Sequence, residues 1–282
     1  MRVISAALLV CASLALAEQR DEAKYTDTAE KTAKELRDRI QAAANALTNH
    51  PWAGDYYYGD GMGVNVSLHL APMAGYVFEW HGCLGLYDRN YGNVTETNGR
   101  IRLSFTFKNE RKGFQGIAEE LVPVPWGERR YLIPSDEIID FCNKVNDGTE
   151  PRESNRGYFL LRRGDEKKMV SGFPSVPNDY RAYLLTKPIL AEITGISSVT
   201  TRPSICEWNF KDTTVILNAG RNKGLLKGME MLVTKPAHLV ESVVITKVTE
   251  ATAEAIMTQS DDEKYGPEKG WLLSTKCPWK EK

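Results

Sequence analysis

The feature that most constrains the fold of this chain is a series of short apolar runs, separated by turn residues, that begins at Trp52. In the segment 64–70, every second residue is Val or Leu and the residues between them are Asn, Ser and His, which is typical of a strand with one buried face. An Asn-Gly pair at 98–99 indicates a two-residue hairpin turn of type I′. We expect strands at 55–58, 64–70, 75–80, 94–97, 100–107, 131–133 and 157–163. Such a sheet can curl into a barrel or lie under a helix.

The C-terminal segment 205–278 predicts a second, smaller β domain that folds on its own. Its strands are expected at 213–217, 229–233, 242–248, 253–258 and 271–274, with short polar turns between them, which is enough for a small barrel. Gly220, Gly224 and Gly228 are interpreted as turn residues that supply backbone angles unfavourable for other residues. Residues 189–204 are interpreted as the connection to this module.

The turn glycines belong to the pattern L-N-x-G-x-x-x-G-L-x-x-G-M, which begins at Leu217. This pattern resembles the small β modules of bacterial envelope proteins, such as the β-domain of the rod-shape-determining cell-wall scaffold and the C-terminal modules of periplasmic flagellar-assembly proteins. The resemblance covers about a quarter of the chain. Because those families bind partners and catalyse nothing, it implies a non-enzymatic binding or structural role in the bacterial envelope.

The segment 18–49 predicts a helical arm, because it is rich in Ala, Glu, Lys and Arg and holds neither Gly nor Pro before Pro51. Its apolar residues are spaced alternately by four and three, which is a heptad seam: Ala29, Ala33, Leu36, Ile40, Ala43 and Leu47. Such a seam can pair with a second copy of the chain, pack on its own domain, or form a stalk near the membrane.

A second helix is predicted at 135–147, within the β-rich domain 50–188. Ser135 is a suitable N-cap, and the acids that follow it suit the positive end of a helix dipole. The expected fold class is therefore α+β: an N-terminal helix, a β-rich meander or barrel-like domain with one flanking helix, and a small C-terminal β-barrel.

The N-terminus predicts export. Residues 1–17 contain one basic residue, an apolar run and the small-residue exit Ala15-Leu16-Ala17, which together are typical of a signal peptide cleaved near Ala17. No later apolar run approaches the roughly 20 residues needed to cross a bilayer. We expect a periplasmic or secreted protein with no stable membrane span after cleavage.

The charge balance excludes some partners. The chain has 36 Lys and Arg against 37 Asp and Glu, and the two signs are interspersed. Nucleic acids and anionic membranes select a basic face, so the expected partners are an envelope protein or a small ligand. Neither a cofactor nor a metal is expected.

Four cysteines remain after cleavage: Cys83, Cys142, Cys206 and Cys277. In an oxidising compartment they can form disulfides, and the pairs Cys83–Cys142 and Cys206–Cys277 would each lie inside one predicted domain. The alternative for Cys142 is a free thiol buried on the apolar face of its helix. No C-x-x-C spacing occurs, which argues against a zinc or redox site.

Aromatic residues crowd the segment 52–91. They are first of all core material for strands. The alternative is a groove for a small apolar ligand, a sugar or a peptide, with Tyr56, Tyr58 and Asp60 facing it. In that reading the protein is a lipocalin-like carrier of small molecules.

A third hypothesis is a hydrolase around His81, because His81 and Cys83 are two apart on a predicted strand and so point the same way. The sequence offers no group to orient the imidazole, and no G-x-S-x-G, H-E-x-x-H or S-x-x-K motif occurs. An enzyme is therefore the less favoured class.

Overall fold

The structure is a computed structural model, and it describes residues 22–47, 49–59, 63–113, 115–153, 158–203, 209–263 and 265–277. The predicted signal peptide, Asp60 and Cys206 lie outside the described residues. The chain divides into two compact units, the first from Met1–Ile138 and Arg152–Pro177 and the second from Ile139–Pro151 and Asn178–Lys282. Each unit therefore takes two separate stretches of the chain.

The fold is mainly β rather than α+β. The described residues form two α-helices, α1 (Asp27–Ala46) and α2 (Ile138–Asp147). Short 3₁₀ helices lie at Glu22–Tyr25, Pro151–Glu153, Asn178–Tyr183 and Arg221–Lys223. The strands of the first unit are β1 (Gly54–Tyr58), β2 (Asn65–Ala71), β3 (Gly75–Gly82), β4 (Gly85–Thr97), β5 (Arg100–Phe105), β6 (Glu120–Trp126), β7 (Arg129–Pro134) and β8 (Leu160–Arg162). Those of the second unit are β9 (Leu190–Pro203), β10 (Asn209–Leu217), β11 (Glu230–Lys235), β12 (Ser242–Val248), β13 (Ala253–Ser260) and β14 (Leu272–Ser274). Among the described residues, no helix combines the length and apolar character needed to cross a bilayer.

The first unit is a closed eight-stranded antiparallel barrel in which neighbours in sequence are neighbours in space. The closing contact joins β1 to β8, with Tyr56 opposite Arg162. In a strand, alternate side chains point to the same face, so Leu68 and its partners Tyr56 and Phe78 all point into the lumen. All three are at most 1% exposed. The lumen is thus the hydrophobic core of this unit.

The helix α1 packs on the outside of the barrel. Thr26 caps it by accepting a hydrogen bond from the backbone of Ala29, and the helix contacts β1, β2 and β3. Ala33 and Ile40 on the predicted seam are fully buried in the same hydrophobic cluster as the barrel. The seam is therefore occupied within its own unit, and self-association through it stays a prediction.

Strand β4 begins well before the strand predicted at 94–97. Its first half was not predicted because it is polar. The polar residues are nevertheless buried and satisfied. Asp88 forms an ion pair of 2.8 Å with Lys24, and Arg89 forms one of 2.9 Å with Glu79. Asn90 accepts hydrogen bonds from three backbone amides, those of Tyr91, Thr106 and Phe107.

Two other features of the barrel bear on the predictions. The hairpin at 98–99 is confirmed, since Asn98 and Gly99 have φ of 54° and 73° and join the paired residues Thr97 and Arg100. Strand β6 was not predicted, because Pro123 and Pro125 cannot donate to a ladder. It is nevertheless paired with β7 throughout its length.

The second unit is built on one six-stranded antiparallel sheet in the order β10-β13-β12-β11-β14-β9, with β9 pairing again with β10. The prediction that 189–204 is a connection was wrong, because this segment forms β9. Its Ile193 is fully buried in the core of the unit.

The helix α2 also belongs mainly to this unit rather than to the first: the Asn143 side chain donates to the Gly228 carbonyl at 3.0 Å and accepts from the Glu230 amide at 3.1 Å.

The three turn glycines of this unit have different reasons to be glycine. Gly224 and Gly228 have φ of +90° and +88°, as the turn interpretation requires. Gly220 instead has φ of −138°, which any residue adopts. A Cβ there would lie 2.6 Å from the carbonyl oxygens of Thr249 and Glu250, so close backbone approach excludes a side chain.

Candidate functional site

A pocket of about 170 Å³ opens into one end of the barrel lumen of the first unit. Most of its wall is aliphatic or aromatic. It is lined by Val66, Phe78, Trp80, Arg111, Gly113, Gln115, Gly116, Ile117, Ala118, Leu121, Pro134, Tyr158 and Leu160. The wall therefore combines β2 and β3 on one side, β6 to β8 on the other, and the loop 106–119, of which Phe114 is outside the described residues.

Three aromatic rings form a contiguous edge-to-face cluster at this end of the barrel. The Tyr158 ring lies 4.7 Å from the Trp80 ring and 5.1 Å from the Tyr58 ring, centroid to centroid. Burial raises the pKa of Tyr158 to about 12, because a phenolate is poorly solvated there. Tyr158 is therefore a neutral phenol at any physiological pH.

The loop 106–119 is tied to the barrel at its inner side. The Asp88 carboxylate, already paired with Lys24, accepts a hydrogen bond of 2.6 Å from the Gly116 amide. The Asn109 side chain bonds to both the amide and the carbonyl of Ile117. These bonds fix the segment that contributes Ile117 and Ala118 to the pocket wall.

Arg111 is the charged group of the pocket wall. Its guanidinium donates to Asp136 at 2.6 Å and also to Glu137. Both partners follow β7, so Arg111 links the loop 106–119 to the opposite side of the pocket. Because two carboxylates engage the guanidinium at the rim, the interior of the pocket is left mainly apolar.

The three residues predicted from the aromatic segment have different positions. Tyr58 packs against Tyr158 at the pocket. Tyr56 faces the lumen but is not part of the pocket wall, and it is 1% exposed. Asp60 lies outside the described residues.

The structure places the predicted hydrolase residues on the surface. His81 and Cys83 are both exposed near the tip of the β3–β4 hairpin, and neither contributes to the pocket wall. Among the described residues, no group of three His, Cys, Asp or Glu side chains is arranged to hold a metal ion. The position of His81 and Cys83 thus offers no enclosed site for a substrate.

The predicted disulfide between Cys83 and Cys142 is wrong, since both are free thiols. Cys83 is exposed in the first unit, whereas Cys142 is fully buried on α2 in the second. Burial raises the pKa of Cys142 to about 12, which fits the alternative of an inert packed thiol. Cys277 forms no disulfide with another described residue. Its predicted partner, Cys206, lies outside the described residues, so that pairing stays a prediction.

Most of the pocket wall could not be found from the sequence. Phe78 and Trp80 belong to the conspicuous aromatic segment. Leu121, Tyr158 and Leu160 are 40 or more residues away in the chain and are brought to them only by barrel closure. No local pattern signals that β8 pairs with β1.

Comparisons of the chain with protein families, with curated proteins and with solved structures found no significant match. The pocket and its chemistry are therefore the basis for a functional proposal.

Proposed function

We propose that the first unit is a non-enzymatic binding domain for a small apolar molecule that contains a single aromatic ring or two fused rings. The observation that carries this proposal is the pocket in the lumen of a closed barrel. A cavity of about 150 Å³ with aliphatic and aromatic walls holds a single benzene ring, and this pocket has about 170 Å³. Its size selects against long lipids and polypeptides.

The aromatic cluster supports the same class of ligand. The edges and faces of Trp80 and Tyr158 favour ring contacts over contacts with aliphatic chains. The charge of Arg111 is engaged by Asp136 and Glu137, so the guanidinium is held at the rim and leaves the mainly apolar wall to contact the ligand. The binding mode is that of a lipocalin-like carrier.

The proposal is tested by filling the pocket. Ala118 is 4% exposed in the pocket wall, and Ala118→Leu would place three more carbon atoms in the space of a ligand. Saturation-transfer NMR with benzene, phenol and indole should detect binding to the full chain, and Ala118→Leu should weaken it at least about tenfold.

The matched control is Ala42→Leu, the same substitution at an exposed position of α1. It should bind the three compounds as the unchanged chain does. Equal binding by Ala118→Leu, or no binding by the unchanged chain, would overturn the proposal.

We further propose that this binding takes place outside the cytoplasm. The support is the signal-peptide pattern of residues 1–17. Intact-mass analysis of the exported protein should give an N-terminus at Glu18. An unprocessed or lipid-modified N-terminus would contradict it.

A second candidate function concerns the second unit, which we propose to be a small barrel that binds an envelope protein. Strand β14 pairs with the start of β9, up to Glu192, whereas β9 continues to Pro203. Ile196 and Val199 on this stretch are 49% and 57% exposed. Open strand edges with apolar side chains favour the addition of a partner strand. Val199→Lys should abolish cross-linking to such a partner, and Val199→Thr should retain it.

A further inference from the structure

A second group of lumen-facing residues lies away from the pocket. Leu132 on β7 is paired with Leu160 on β8, and Arg130 and Arg162 each lie two residues further from the pocket along these strands. Alternate residues of a strand share a face, so both arginine side chains start from the lumenal face. They are neighbours on the adjacent strands β7 and β8. Arg130 is four residues, or about 13 Å, from Pro134 in the pocket wall.

Tyr56 completes the group. It is directly opposite Arg162 in the β1–β8 pairing, so its ring points to the same face. The Tyr56 hydroxyl is buried and has no hydrogen-bond partner within the described part of the chain. Burial raises the pKa of Tyr56, while the guanidinium groups of Arg162 and Arg130 oppose that rise. The charges of both arginines therefore act on the hydroxyl.

The arginines interact with a neighbouring carboxylate only at a distance, since the charge of Arg162 contributes to the lowered pKa of Asp55. Within the described residues neither side chain forms a hydrogen bond or an ion pair. Two neighbouring carboxylates already have partners: Asp165 pairs with Lys168 at 2.6 Å and Asp55 with His69 at 2.7 Å. Two neighbouring cations beside a buried hydroxyl that has no partner are unfavourable in the absence of an anion.

The backbone leaves room for the guanidinium of Arg162. A Cβ at Gly54 would lie 3.0 Å from Arg162 Nε, so the guanidinium packs directly over the glycine backbone. This contact fixes Arg162 next to β1, on the strand that carries Tyr56. Both arginines are only half-buried, which leaves them accessible to a solute.

We propose that Arg130, Arg162 and the Tyr56 hydroxyl form a binding site for a small oxyanion, a carboxylate or a phosphate. The guanidinium groups supply paired donors that match the oxygen atoms of such an anion. The Tyr56 hydroxyl donates a third hydrogen bond. This site is independent of the ring-binding pocket.

The experiment uses the full chain with ¹⁵N-labelled arginine and titrates phosphate, acetate and chloride at constant ionic strength. Phosphate or acetate should shift the Nε–Hε signals of Arg130 and Arg162, and chloride should not. The oxyanion that binds more tightly shows whether the ligand of this site is a phosphate or a carboxylate. Arg162→Gln should weaken binding by about tenfold or more, as expected for a hydrogen bond between charged groups.

The matched control is Arg163→Gln on the neighbouring residue, whose guanidinium lies 4.9 Å from the Tyr57 ring on the outer face. It should leave oxyanion binding unchanged. Equal loss in both variants, or signals that respond to chloride as they do to phosphate, would overturn the proposal.

Tyr56→Phe tests the site even if the arginine variants fail to fold. It removes a buried hydroxyl without a protein partner, so it should leave the melting temperature of the anion-free chain unchanged or higher. It should also reduce the rise in melting temperature that phosphate causes. A destabilised Tyr56→Phe with an unchanged response to phosphate would contradict the assignment. Binding of indole should be unaffected in every variant of this set.

Discussion

At the scale of residues, the first half of β4 contains buried polar side chains whose partners come from other elements. Asp88, Arg89 and Asn90 are all at most 5% exposed. They lie in the middle of β4, because Lys24 and Glu79 come from other elements to compensate their charges. A buried charge is tolerated only with such partners, and partners distant in the chain leave no local signal.

The ion pair between Lys24 and Asp88 should be important for stability. Their side chains are 6% and 1% exposed, so Asp88→Asn leaves a buried ammonium group without its counter-charge. We expect the free energy of unfolding to fall by about 3–5 kcal/mol, measured by urea denaturation. The control, Asp136→Asn, weakens the exposed pair with Arg111 and should cost at most about 1 kcal/mol. An equally small loss of unfolding free energy in both variants would show that the buried ion pair is not important for stability.

The pair of Asp55 and His69 should give stability a pH dependence. Burial raises the pKa of Asp55, but the hydrogen bond to His69 and the charges of Arg163 and Arg162 together lower it below its ordinary value of 3.8. A depressed folded-state pKa means that this contribution is fully present above the unfolded-state pKa. It is lost as the pH falls through the folded-state pKa.

The measurement compares the unchanged chain with Asp55→Asn by urea denaturation at about pH 5 and about pH 2.5. The unchanged chain should be the more stable of the two at the higher pH, and the difference should shrink at the lower pH. A difference that is independent of pH would show that Asp55 is not stabilised in its ionised form.

At the scale of elements, alternation and turn chemistry predicted strands well where local rules apply. The strand β2 follows from period-two patterning and the hairpin at 98–99 from an Asn-Gly turn, and strands were also expected at β1 and β3. The rules failed at β6, where two prolines argue against a strand, and at β9, whose apolar residues do not alternate regularly. Both strands are held by their neighbours rather than by their own sequence preference.

The turn between β10 and β11 offers a prediction about two glycines. Gly220→Ala would place a Cβ 2.6 Å from three backbone atoms of 249–252, which requires the backbone to move. Gly224→Ala meets only Ile189 Cδ1 at an ordinary 3.5 Å, so its cost is the positive φ, about 1–2 kcal/mol. Thermal unfolding should rank Gly220→Ala as the more destabilising. The reverse order would mean that φ rather than close approach governs this turn.

At the scale of the whole molecule, the sequence predicted two β domains but not how the chain divides between them. The helix α2 lies within the span predicted for the first domain, yet it hydrogen-bonds with the turn before β11. The closure of the barrel by β1 and β8 joins residues about a hundred positions apart in the chain. Long-range pairing of this kind depends on the complete core, so no single segment specifies it.

The segment 205–278 should therefore not fold alone, contrary to the sequence-based expectation. Without β9, the edge of β10 that pairs with β9 from Asn209 to Leu217 has no partner strand, and the core loses Ala191 and Ile193. We expect circular dichroism of the isolated segment to show no cooperative thermal transition, whereas 139–277, which keeps both α2 and β9, should show one. A cooperative transition in 205–278 would contradict the role assigned to β9.

The central claim is that the barrel lumen of the first unit binds a small ring-containing molecule. The most direct measurement is a methyl-labelled NMR titration of the full chain with indole. The account predicts shifts for the methyl groups of Val66, Ile117 and Leu121, which line the pocket, and none for Val215 and Ile245 in the second unit. Shifts confined to the second unit, or no shifts at millimolar indole, would contradict it.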